Sequence, residues 1–390
     1  MFLTELHMVK GCSMSTATGS DRPSPGRGAA TPVHERLDSL LAELRRGPGR
    51  DPSIGDAVAA AVDAWRTPPR IQVAGRARAG RSAVLHALGL MTAQETDPVD
   101  QPQTPTPELD ADIVVYVLSA APTPADRRVL STVPPERTIA VLNKADAIGS
   151  RWADAVAAAE HYGAQLGVSV VPLVASLAVR TRTGVVTDAD LAALRTLAAD
   201  SDSSLLLSPD LFIAPGPDAA EREQLLHRWD LYGVACACSA LRHDPRLPAP
   251  ALLQILHAAS GIDPLHRLLH RLYQQIAALR GGDLLDELAR LAARAVPGDG
   301  GRARDVLESF LSSDDAVWLG LLAGLAHPDV VHLTVDYPAA APLDANDAIA
   351  RAKRWRAVVT SDLPAGARRA ALRAHTGYVR VWERMSGAGL

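Results

Sequence analysis

Gly75-Arg76-Ala77-Arg78-Ala79-Gly80-Arg81-Ser82 is the stretch on which the reading of this 390-residue chain turns. A short apolar run at 71–74 precedes it, and a helical pattern at 83–90 follows it. Two glycines in that frame let the backbone curl so that its N–H groups face an anion. The N-terminus of the following helix adds a partial positive charge. Ser82 stands where a hydroxyl would ligate Mg²⁺. Arg81 stands where a lysine would reach the terminal phosphates. Its planar guanidinium is not an equivalent replacement, so it either pairs with phosphate or fills the pocket.

Outward from this loop, residues 70–200 alternate between strand and helix patterns. The runs at 113–118, 138–142 and 168–173 read as buried strands. The stretches at 152–166 and 188–199 read as helices. This β-α-β-α order predicts an α/β fold, a shortened parallel sheet with helices on both faces. Upstream, Leu37, Leu40, Leu41 and Leu44 form one helical stripe; Ile54, Val58, Ala61, Val62 and Trp65 form another, with Gly47-Pro48-Gly49 between them. From about residue 218 the pattern is helical, at 221–241, 249–259, 263–279, 284–295, 303–311, 315–325, 344–358 and 365–385. Pro245, Pro248, Gly261, Gly281 and Pro297-Gly298 read as the breakers. Residues 330–335 fit either a strand or an extended link. The expected organisation is a disordered segment at 1–30, N-terminal helices at 31–66, the α/β domain at 67–205 and a mostly α-helical region at 206–390.

Three further motifs bear on chemistry. Asn143-Lys144-Ala145-Asp146 closes a predicted strand. There an Asp carboxylate can accept the N1–H and the exocyclic amine of guanine, the Asn can brace the loop, and the Lys stem can stack on the ring. Val174-Ala175-Ser176 ends the next strand and offers a backbone N–H to guanine O6. Asp100-Gln101-Pro102-Gln103 offers Asp100 as an Mg²⁺ ligand through water, with Gln103 in place of the glycine that would serve the γ-phosphate. Asp100 lies only 18 residues after Ser82, too few for a switch loop and two more strands. Thr92 and Thr96 are the only candidates there for a switch threonine.

Together these residues resemble the dynamin-like and Era-like branch of the translation-factor-related P-loop GTPases, over about residues 70–200. Trp229-Asp230-Leu231-Tyr232-Gly233 and Ser260-Gly261-Ile262 look like the helical part of bacterial dynamin-like relatives. The resemblance implies a P-loop NTPase-like domain that binds GTP or GDP with Mg²⁺. It assigns Gly75, Gly80, Arg81 and Ser82 to phosphate, Ser82 and Asp100 to Mg²⁺, and Asn143, Lys144, Asp146 and Ala175 to guanine. Arg81 for Lys and Gln103 for Gly depart from the pattern and imply at most a slow GTPase. The expected function is a guanine-nucleotide-binding module with weak or absent hydrolysis. The alternative is a pseudo-GTPase scaffold that binds no nucleotide. Either would meet a related GTPase or another protein through its helical half.

Composition narrows the classes. Apolar residues make up 47% and the net charge is -4, against bulk nucleic-acid binding. Three cysteines, Cys12, Cys236 and Cys238, are too few for a disulfide framework and point to a cytoplasmic protein. Cys236 and Cys238 fall on nearly opposite faces of a helix, against a shared metal. No stretch has the apolar length of a membrane span, and the segment from Met1 to Met14 lacks a signal-peptide core. Arg45-Arg46 and Arg368-Arg369 leave peripheral membrane contact open, with a solvated surface as the plain reading. His266 and His270, four apart, read as an exposed helix face rather than a metal pair.

Overall fold

Six consecutive apolar side chains, IVVYVL, make β3 (Ile113–Leu118), and every one of them is buried. Only a strand covered on both faces can bury such a run without exposing its alternate positions. β1 (Ile71–Gly75), β2 (Ala93–Glu95), β4 (Thr138–Asn143) and β5 (Ser169–Leu173) complete a five-stranded sheet in the order β2-β1-β3-β4-β5. Every pairing is parallel, with Ile71 opposite Ile113 and Val114 opposite Thr138. This computed structural model describes residues 33–46, 52–101, 107–200, 203–295 and 301–387. The expected disorder at 1–30, Cys12, Gly47-Pro48-Gly49, Pro102-Gln103 and Pro297-Gly298 lie outside the described residues.

The helices are α1 (Val33–Arg45), α2 (Pro52–Arg66), α3 (Arg81–Leu88), α4 (Pro124–Leu130), α5 (Trp152–Leu166), α6 (Ala175–Thr183) and α7 (Asp188–Ala199). They continue with α8 (Pro209–Phe212), α9 (Ala219–His243), α10 (Ala249–Ala259), α11 (Ile262–Arg294), α12 (Gly301–Leu311), α13 (Asp314–Ala326), α14 (Ala345–Val359) and α15 (Ala365–Met385). Alternation along the strands sorts the core into two faces. Val73, Val115 and Val141 pack under α3, α6 and the start of α11. Ala74, Tyr116 and Leu142 face α4 and α5. The α/β reading with helices on both faces therefore holds.

The helical half is built onto this sheet. α9 and α10 share a core with α6 and α7, centred on Trp229, Leu177 and Leu194. α11 has 33 residues and spans about 50 Å at 1.5 Å per residue. Its first turns, through Ile262, Leu265 and Leu269, join the sheet core. Its last turns, through Leu284, Leu288 and Leu291, pack with α1, α2, α12 and α13. α13, α14 and α15 close a further core around Trp355 and Tyr378.

Several local expectations change. The separate helices at 263–279 and 284–295 are one helix, and Gly281 is not a breaker. A Cβ on Gly282 would lie 2.8 Å from Ala323 Cβ and 3.0 Å from an Arg373 guanidinium nitrogen, so a glycine there admits α13 and α15 closely. The helix predicted at 83–90 begins at Arg81 and ends at Leu88, because Gly89 takes a left-handed φ of 61° and caps it. β2, α4, α6 and α8 were not foreseen. Residues 330–335 hold a short 3₁₀ turn, Val331–Thr334, instead of a strand. α9 is kinked at Asp230, whose φ is 63°. Among the described residues no helix is long and apolar enough to cross a membrane.

Candidate functional site

β1 has β2 on one side and β3 on the other. The chain leaves β1 over one face through α3 and leaves β3 over the opposite face through α4. Their loops part at the carboxyl end of β1, the kind of crevice where open parallel sheets bind ligands. Gly75 to Ser82 lies there. Gly75 has φ 149°, and a Cβ on it would stand 2.6 Å from Val117 O, so the loop needs glycine at its start. Gly80 has φ 90° and leaves room for the Asn143 amide, which a Cβ would strike.

Asn143, buried at the end of β4, uses both halves of its amide. Nδ2 donates to Ala79 O at 3.0 Å, and Oδ1 accepts from Ala175 N at 3.2 Å. Lys144, with a left-handed φ of 59°, donates from Nζ to Arg78 O at 3.2 Å. Gly75, Gly80, Asn143, Lys144 and Ala175 are thus brought together at the carboxyl end of the sheet. Asp146 sits on the same turn, Ala145–Ala147, and is exposed. Protein around its carboxyl group desolvates it and pushes its pKa up, and the charge of Asp230 adds to the rise. The Ala175 N–H expected to meet guanine O6 is given instead to Asn143.

At the other end of the loop the side chains pair within the protein. The Arg81 guanidinium lies against β2: it donates to Thr96 O and approaches Glu95 Oε1 at 3.4 Å. Its side chain is only 11% exposed. Asp100 Oδ1 accepts the Ala77 N–H at 2.7 Å, so a carboxylate of the protein meets a loop donor directly. Ser82 is exposed. Among the described residues no group of three His, Cys, Asp or Glu side chains could hold a metal ion. Mg²⁺ sites of this kind draw most of their oxygens from phosphate and water. Of the two residues expected at Mg²⁺, Ser82 lies in the first turn of α3 and Asp100 is turned to Ala77.

Comparison with protein-family models, with curated proteins and with solved structures finds no match for this chain.

Two partners of the loop escaped the sequence reading. Arg76 Nε reaches Asp126 at 3.1 Å, and Asp126 is fully buried. The same carboxylate accepts from Tyr116 Oη at 2.8 Å, from Thr123 N at 2.8 Å and from Thr123 Oγ1 at 2.6 Å. Burial and that neighbouring carboxylate push the Tyr116 phenol far above its usual value. The signal was present as Thr123-Pro124-Ala125-Asp126, a helix-capping spacing with proline in the first turn. Glu95, the partner of Arg81, had no such signal. On α9, burial raises the Cys236 thiol pKa, and the Asp146 charge adds to it. His270 pairs with Gln274 at 2.8 Å, while burial lowers the pKa of His266.

Proposed function

We propose that this chain is a degenerate P-loop GTPase-like protein that acts by engaging a partner, not by turning over nucleotide. One observation carries the reading: Asp100 takes the Ala77 N–H while Arg81 is committed to Glu95 and Thr96. Phosphoryl transfer is catalysed almost wholly by positioning and by charge aimed at the terminal phosphates. Here the Arg81 guanidinium is held by Glu95 and Thr96, and the Asp100 carboxylate takes a loop donor. The fold assignment to P-loop NTPases rests on the order of the motifs and on the loop's place at the switch point. The free thiols of Cys236 and Cys238 fit a reducing cytoplasm. By the same resemblance, a related GTPase meeting the helical half is the expected class of partner.

A second reading, retained guanine binding without hydrolysis, is favoured by Asp146. It lies on a turn whose neighbours Asn143 and Lys144 are tied to the glycine loop. Titration of the purified protein with fluorescent GDP and GTP, with and without Mg²⁺ and with ATP as competitor, separates the two. The partner-binding reading expects no saturable binding at micromolar concentrations and no phosphate release. Binding displaced by GDP but not by ATP, with that preference lost in Asp146→Ala, supports the second reading. Steady release of phosphate from GTP overturns both.

A further inference from the structure

The contact between Asp100 and Ala77 is delivered by the backbone. β2 runs in register with β1, Ile71 opposite Ala93 and Val73 opposite Glu95. Beyond β2 the chain keeps to the end of β1: Thr96 N donates to Val73 O at 3.1 Å and Val99 N donates to Gly75 O at 3.2 Å. Arg81 ties the same segment from the side of α3, through Thr96 O and Glu95. These bonds bring Asp100, 23 residues from Ala77 in sequence, onto the loop, and its Oδ1 lies 2.7 Å from the nitrogen. Hydrogen bonds to ionised acceptors are about twice as strong as neutral ones.

The loop owes its shape to other residues. Arg76 is held by Asp126, Arg78 O by Lys144 and Ala79 O by Asn143. None of these ties passes through Asp100, so its removal frees a donor without undoing the loop. A phosphate oxygen entering the seat must displace the carboxylate and then face its negative charge.

We infer that Asp100 is an internal stand-in for a ligand phosphate, and that it keeps a latent anion seat on Gly75 to Ser82 closed to nucleoside diphosphates and triphosphates. The inference rests on reading that loop as a phosphate-type loop, and it adds what holds the seat shut. Binding of pyrophosphate, GDP and ADP is measured by calorimetry on the full chain, as wild type, Asp100→Ala and Asp100→Asn. The asparagine variant keeps an acceptor oxygen for Ala77 N–H and loses the charge, so it covers the case in which alanine disturbs folding. The expected result is an affinity gain of about tenfold or more for pyrophosphate and GDP in at least one folded variant. A gain for pyrophosphate with GDP and ADP equal leaves the inference standing and ends the guanine reading. No gain in folded variants overturns the inference, whereas the partner-binding proposal survives if wild type also fails to bind. Tight GDP binding by wild type, unchanged in both variants, overturns the inference together with that proposal.

Discussion

Asn143 is where the site is most economical at the residue scale. One buried amide satisfies Ala79 O on the glycine loop and Ala175 N at the start of α6. A buried group that loses its partner incurs a desolvation penalty of about 1–3 kcal/mol. Asn143→Ala is therefore expected to lower unfolding stability by about 2 kcal/mol, read by urea denaturation at unchanged m-value. A loss below about 0.5 kcal/mol would mean that water replaces the bridge and that Asn143 does not shape the loop. Burial decides which polar contacts matter here. Arg70 and Asp110 pair at 2.9 Å, but their side chains are 60% and 59% exposed. Such a pair contributes little, whereas Asp126, fully buried among its donors, is costly to leave unmatched.

Between elements, close approach of helices explains what periodicity alone misread. Gly281-Gly282 has the look of an interruption, and a mid-helix glycine does cost about 1 kcal/mol against alanine. α11 continues through it because α13 and α15 come close enough to fill the space a side chain would need. Gly324 on α13 works the same way: a Cβ there would lie 2.5 Å from Ala370 O on α15. Gly282→Val is expected to lower stability by about 1–3 kcal/mol through overpacking, seen as a fall in Tm. An unchanged Tm would show that the three helices separate without penalty. β2 and α4 were hidden for opposite reasons. β2 has three residues and no apolar alternation, so only pairing with β1 reveals it. α4 carries a capping signal in plain sight, but seven residues give too little periodicity to notice.

Across the whole molecule, α11 ties the sheet to the helical bundle. Its first half belongs to the core of the sheet and its second half to the core around α1 and α2. Arg280 reinforces the junction: it grips both carboxylate oxygens of Asp112 at 2.8 Å and also reaches Thr67 O. Asp112 in turn accepts from Arg70 N at 2.7 Å, immediately ahead of β1. Both members of the pair are 23% exposed, so solvent screens the bond only in part. Arg280→Ala is expected to cost about 1–3 kcal/mol and to reduce amide exchange protection at the start of β1 and β3. Equal protection in the variant would mean that apolar packing alone holds α11 on the sheet.

By itself the sequence determined what depends on near neighbours. Continuous apolar runs made the central strands, leucine spacing made α1, and a glycine frame ahead of a helix marked the loop at the carboxyl end of the sheet. The α/β class, the parallel sheet and most helix positions follow from those local patterns. Only the tertiary structure decided what the loop touches. Asn143 meets partners 64 and 32 residues away, and Asp100 meets Ala77 across 23. Periodicity specifies which face of an element is buried, since burial scales with apolar area and needs no particular partner. A hydrogen bond is directional and short, so its partner is settled only when strand order brings distant loops to one end of the sheet.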